Sequence, residues 1–313
     1  MATLSVPEHV PSPAEDAENL KKAFQGWGTN EKAVISILAH RNAAQRTLIR
    51  QAYQQIHKED LIKRLESEIS GDFEKAVYRW MFEPAEREAI LANVATIKES
   101  HVDDRVLIEI ACVSSPNELL TVKKTYQARY KHSLEEDVAS HTRGDFRKLL
   151  VALIGTYRYD GEEVNGKLAQ AEAKILHDAI KAKDYGNEEI IRILTTRSKA
   201  QLNATINCYK DEFGTSINKT LDDPGNKFAS ALRVATRCLT FPQKYFEKLL
   251  REAINKSGTD EDALSRVIVT RAEKDLQEIK ELYFKRNSVA LSQAVGKETS
   301  GEYKKFLLSL LGE

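Results

Sequence analysis

The chain of 313 residues carries 47 basic and 47 acidic side chains, so its formal net charge at neutral pH is zero. That balance argues against a nucleic-acid-binding surface and against standing attraction to anionic membranes; membrane contact would need an added cation. Three widely spaced cysteines, Cys112, Cys208 and Cys238, form no CxxC pair and read as reduced thiols rather than a disulfide frame. No apolar run reaches the roughly 18 residues of a membrane span, and the first residues show neither the basic start nor the hydrophobic core of a secretory signal, so a cytoplasmic protein is expected.

Residues 1–11 read as a short, flexible, proline-containing tail. Ser12-Pro13-Ala14-Glu15 then predicts a helix start, with Ser as N-cap, Pro at the first helical position and Glu completing the capping signal. That helix is expected to stop at Gly26, and Thr29 to cap a second helix carrying Val34, Ile35, Ile37 and Leu38. Asn42 with Gln45 repeats the capping signal for a third helix ending near Tyr53. A short fourth helix covers about 59–68, and a fifth follows Ser70-Gly71. On the fifth, Phe73, Ala76, Val77, Trp80 and Met81 share one face. Strand-like alternation is absent throughout, which makes the protein all-α.

The same pattern occurs four times. HRNAAQRTLIRQAY at 40–53 aligns with segments closing at Tyr126, Tyr209 and Tyr283. An aromatic-led stripe, headed in turn by Phe73, Phe146, Phe228 and Tyr303, follows each closing tyrosine at a nearly constant interval. Repeats at this spacing decide the architecture: a tail at 1–11, repeat one at 12–84, repeat two at 85–158, a linker at 159–167, repeat three at 168–241 and repeat four at 242–313. Each repeat has about five helices, too many for the familiar helix-pair arrays. The polar linker is the expected hinge, dividing the chain into two halves.

Two repeats carry a loop suited to a hard cation. Gly26-Trp27-Gly28-Thr29 is followed at a distance by Glu68, and Lys256-Ser257-Gly258-Thr259 is followed at the identical interval by Glu298. Calcium takes six to eight oxygens at about 2.4 Å, from carbonyls and carboxylates. Glycine allows the positive φ that lets a loop aim several carbonyls at one point, and a distant carboxylate adds charge. Without that acid, the same loop is an ordinary helix-to-helix turn with Thr29 or Thr259 as a cap. In repeat two, Glu99, Ser100 and His101 occupy the loop and His141 stands at the acid position; repeat three has Asp184-Tyr185-Gly186-Asn187, with Asp222 or Asp223 as the nearest acid. Neither is expected to be a strong site.

A GxGT loop with an Asp or Glu at this fixed interval, set in a fourfold frame, resembles the annexin family, and its plant members in particular, from about Ser12 to the C-terminus. The resemblance implies a slightly curved all-α disc of four repeats with its calcium loops on one face. It implies Ca2+ held by the carbonyls of Phe24, Gly26 and Gly28 with the carboxylate of Glu68, and by those of Ile254, Lys256 and Gly258 with Glu298. Trp27, Thr29 and Thr259 would meet an anionic phospholipid membrane, to which the protein would bind peripherally when calcium rises. Repeat one, with both glycines and Trp27, is expected to be the stronger site, and both acids to be exposed at helix ends. F-actin and oligomers on membranes are further family associations, the first through Ile191-Arg192-Ile193, which also fits a core position on its helix. No enzyme activity is expected. The alternatives are a peroxidase or nucleotide-hydrolysing enzyme centred on His40, for which no phosphate loop or second haem signature is present, and a calcium-independent helical scaffold. Cys112 and Cys238 match a proposed redox-sensitive pair of plant annexins, and read equally well as buried thiols.

Overall fold

The computed structural model describes residues 1–97 and 102–313. Among the described residues there are twenty α-helices and no strand, five helices to each repeat. Repeat one holds α1 (Pro13–Ala23), α2 (Glu31–Leu38), α3 (Ala43–His57), α4 (Leu61–Glu68) and α5 (Gly71–Met81). Repeat two holds α6 (Pro84–Ile97), α7 (Asp104–Val113), α8 (Pro116–Tyr130), α9 (Leu134–His141) and α10 (Gly144–Gly155). Repeat three holds α11 (Gly166–Lys181), α12 (Glu188–Thr196), α13 (Lys199–Phe213), α14 (Ile217–Thr220) and α15 (Lys227–Thr240). Repeat four holds α16 (Pro242–Asn255), α17 (Glu261–Arg271), α18 (Leu276–Asn287), α19 (Leu291–Glu298) and α20 (Gly301–Leu310).

Local chemistry sets the helix starts. Ser12 Oγ accepts from Glu15 N at 3.1 Å, and Asn42 and Gln45 form a reciprocal capping box. Three boundaries differ from the sequence expectation. Helix α1 ends at Ala23, short of Gly26. Helix α2 is capped by Asn30, whose Oδ1 accepts from Ala33 N at 3.1 Å, so Thr29 is not the cap. Helix α3 runs a turn past Tyr53 to His57 and closes on Lys58 at φ 55°. The left-handed closure recurs at Lys131, Gly214 and Ser288. Since only one of the four is glycine, the usual C-terminal signal is missing from the sequence. The tail also differs from expectation. Thr3 N donates to Ala272 O at 2.9 Å and Thr3 Oγ1 to Leu310 O at 2.6 Å, tying the N-terminus to repeat four.

The helices form two compact units, residues 1–87 with 246–313 and residues 88–245. The segment 159–167 therefore lies inside the second unit and does not divide the chain into halves. Pairing of helix faces explains this. In the first unit α2, α5, α17 and α20 pack together, and in the second α7, α10, α12 and α15 do so. The aromatic-led stripe lies in these seams: Phe73 meets Phe306 edge-on at 5.9 Å, and Phe146 meets Phe228 at 5.2 Å. A stripe that looks internal to one repeat in fact joins repeat one to four, and two to three.

Buried polar groups are paired within these seams. Trp80 is fully buried, and its indole N–H donates to Leu38 O at 2.7 Å. The Arg46 guanidinium lies 3.6 Å from the Trp80 ring and pairs with Glu273 of repeat four at 2.9 Å. Arg41 and Asp16 form a buried pair, with Nε to Oδ2 at 2.7 Å and Nη2 to Oδ1 at 2.9 Å. Arg197 and Glu172 repeat it in the third copy. Removing one partner of such a pair leaves an uncompensated charge, which costs about 3–5 kcal/mol. Asp16→Ala should therefore lower thermal stability markedly, and Asp16→Ala with Arg41→Met should recover part of the loss; equal melting temperatures for wild type and Asp16→Ala would show the pair to be dispensable.

Candidate metal centre

In repeat one, the segment from Phe24 to Thr29 connects α1 to α2. Asn30 N donates to Ala23 O at 2.8 Å and closes the loop at its base. Repeat four closes in the same way, with Asp260 N donating to Ala253 O at 2.9 Å around Ile254 to Thr259. Phe24 and Ile254 are buried, whereas Gln25 to Gly28 and Asn255 to Gly258 are exposed. Gly26 and Gly28 sit at φ 108° and 84°, and Gly258 at 71°, a region that side chains disfavour. Lys256 is not among the residues of positive φ, so its side chain imposes no strain there. The carbonyls of Gly26, Gly28, Lys256 and Gly258 accept no hydrogen bond among the described residues.

The two acids stand in different surroundings. Glu68, at the end of α4, is not exposed as expected: its side chain is 16% accessible. One carboxylate oxygen accepts from the Thr29 hydroxyl, and the other pairs with Arg64 Nη2 at 2.5 Å. The same Nη2 lies 3.4 Å from Phe24 O. Thr29 thus joins the loop to the acid, where the sequence suggested a helix cap. Glu298, at the end of α19, is exposed and has no hydrogen-bond or ion-pair partner among the described residues. It lines an open cleft of about 480 Å³ together with Glu31, Asp72, Glu261 and Glu302. Tyr303 lines it too; burial first, then Asp72 and Glu261, push its phenol up to about 12.

Among the described residues, repeats two and three do not show this arrangement. Glu99, Ser100 and His101 lie outside the described residues. His141 at the acid position turns its Nδ1 to Asp137 O, 2.7 Å away. In repeat three Lys183, itself at φ 58°, reaches Asp223 at 3.2 Å, and the Tyr185 hydroxyl donates to the same carboxylate at 3.1 Å. Asp222 is held by Arg233. Lys183 first, then Tyr185, holds the Asp223 carboxyl below its usual range.

Among the described residues no three His, Cys, Asp or Glu side chains converge on a metal. A cation here would rely on loop carbonyls and one acid, the oxygen-rich and partly open shell that a hard divalent ion accepts. The Arg64 guanidinium, seated against both Phe24 O and Glu68, is a positive charge already drawn to that position. Trp27 is fully exposed at the loop tip. His40 places Nδ1 2.9 Å from Ser5 O, against the tail. Ile191 and Ile193 are buried, while Arg192 pairs with Glu172 and Glu189. Cys112 and Cys238 are both buried, and burial pushes the Cys112 thiol up to about 11. Arg64 and Lys183 escaped the sequence reading. Arg64 could have been found from its i,i+4 spacing to Glu68, whereas Lys183 and Asp223 are far apart along the chain and their contact has no local signal.

The annexin family model matches residues 15–80, 94–153, 171–228 and 245–310, one segment in each repeat. Annexin-like protein RJ4 of Fragaria ananassa is 64% identical over 314 residues, spanning 100% of this chain and 99% of that protein. Chicken annexin V superposes with a TM-score of 0.92 at 33% identity, covering 100% of this chain and 99% of that one. A calcium-bound annexin (Sm)1 gives a TM-score of 0.84 at 29% identity, over 100% and 93% of the two chains. Four matched repeats and end-to-end similarity to a plant relative assign the chain to the annexin family, among its plant-type members.

Proposed function

We propose that this annexin binds anionic phospholipid surfaces reversibly and only when calcium is present, through the loops of repeats one and four. The observation that carries the reading is what the loops share: the same closing hydrogen bond, outer carbonyls (Gly26, Gly28, Lys256, Gly258) without donors among the described residues, and an acid at the same interval beyond each loop. The carbonyls of Phe24, Gly26 and Gly28 with Glu68, and of Ile254, Lys256 and Gly258 with Glu298, would hold the ion. Bound there, calcium supplies positive charge and open coordination positions for lipid phosphate oxygens. The chain's own part is to fix the oxygens and to keep the surface near neutral, so that little attraction remains without the ion. Because lipid completes the shell, affinity for calcium rises in its presence by linkage.

Sedimentation with phosphatidylserine vesicles tests this directly. Wild type should pellet in calcium and return to the supernatant in excess chelator; equal sedimentation in both rejects the proposal. Glu298→Gln should raise the calcium needed for half-maximal binding on the order of tenfold. Its carboxylate holds nothing else in place, so the fold should be unchanged by circular dichroism. Glu68→Gln should also weaken binding, with some loss of thermal stability because Arg64 loses its ion pair with that carboxylate.

Trp27 gives an optical test of which face meets the lipid. An exposed indole at the tip of the loop suits the bilayer interface, whereas Trp80 is sealed between Arg46 and the repeat-four seam. Fluorescence should shift to the blue when calcium and vesicles are both present, and Trp27→Ala should abolish the shift. A shift that persists in Trp27→Ala would remove this loop from the membrane face.

A further inference from the structure

Resting on the calcium reading above, we infer that the two loops answer to different calcium levels because repeat one carries its own cation. Arg64 is that cation. Its Nη2 spans two of the oxygens proposed to hold the ion, Glu68 Oε1 at 2.5 Å and Phe24 O at 3.4 Å. A guanidinium and a divalent ion cannot share these oxygens, so loading repeat one requires Arg64 to leave. Glu59, 3.5 Å from Nη1, is positioned to receive it. The exchange is therefore a competition between a tethered charge of one and a diffusing charge of two.

Among the described residues, repeat four shows no counterpart. Ala294 precedes Glu298 by the same interval at which Arg64 precedes Glu68. The nearest loop cation, Lys256, is engaged with Asp260 at 3.2 Å. Glu298 has no ion-pair partner among the described residues and lines a cleft with Glu31 and Glu261, and with Asp72 and Glu302, which pair with Lys75 and Lys305; the remaining like charges raise the local concentration of cations. Repeat three shows the limiting case, in which Lys183 and Tyr185 occupy the acid of a loop that keeps only the second glycine, Gly186. Repeat four loads first, and repeat one loads only when calcium is high enough to displace Arg64.

Terbium, a calcium surrogate, separates the two loops. When it is excited through tryptophan, the part of the emission that Trp27→Phe abolishes reports repeat one, because Trp27 sits in that loop. Arg64→Gln removes the competing charge and should lower the terbium needed for half-maximal Trp27-sensitised emission roughly fivefold, the equivalent of about 1 kcal/mol for a partly exposed pair. Arg64→Lys keeps the charge and should titrate close to wild type, and circular dichroism verifies that both variants fold. Superimposable titrations of wild type and Arg64→Gln, with emission still lost in Glu68→Gln, would overturn the inference and leave the site intact. Emission unaffected by Glu68→Gln would overturn the site assignment, and the inference with it.

Discussion

A single backbone hydrogen bond at the base of each loop organises the candidate centre. Asn30 N to Ala23 O, and Asp260 N to Ala253 O, hold the end of one helix against the start of the next. The residues between span a gap already closed, and they bulge outward. The outer carbonyls then have no donor among the described residues, which is costly in a protein interior but not at a surface where water or a cation can satisfy them. Glycine at positive φ makes the bulge sterically allowed. The acid arrives from the fourth helix of the same repeat, fixed in space by the packing of that helix beneath the fifth.

The seams between repeats supply the rigidity. Second and fifth helices of repeats one and four interlock, with Phe73 on Phe306 and Trp80 beneath Arg46. Arg46 in turn reaches Glu273 in repeat four. Both candidate loops belong to this one unit, and the N-terminal tail is pinned to it through Ala272 and Leu310. A loop that must present carbonyls at fixed positions is served by helices packed into one unit.

Much of this was legible in the sequence. The apolar stripe from Phe73 to Met81, the Asn42–Gln45 capping box and the fourfold repeat each follow from spacing alone, and the loop–acid pairs follow from spacing combined with the chemistry of a hard cation. What stayed hidden depends on contacts made far apart along the chain. Periodicity marks Phe73 as buried without saying that Phe306 buries it, so a polar linker at 159–167 suggested a division that the packing of repeats two and three overrides. Thr29 looked like a cap because Ser and Thr usually serve as one; Asn30 takes that place, which leaves the Thr29 hydroxyl to bind Glu68. The difference between Glu68 and Glu298 was invisible because it lies in the cation beside one of them. Glu68 and Asp223 have positive partners within the chain, Arg64 and Lys183, whereas Glu298 has none among the described residues.

The central claim is that loop carbonyls and one acid in repeats one and four form the cation sites. A crystal structure determined with calcium present tests it most directly. Two ions are predicted, one among Phe24, Gly26, Gly28 and Glu68 with the Arg64 side chain turned away, the other among Ile254, Lys256, Gly258 and Glu298, and none beside Asp223, where Lys183 remains. Calcium density absent from both loops, or found at Asp223 instead, would contradict the account.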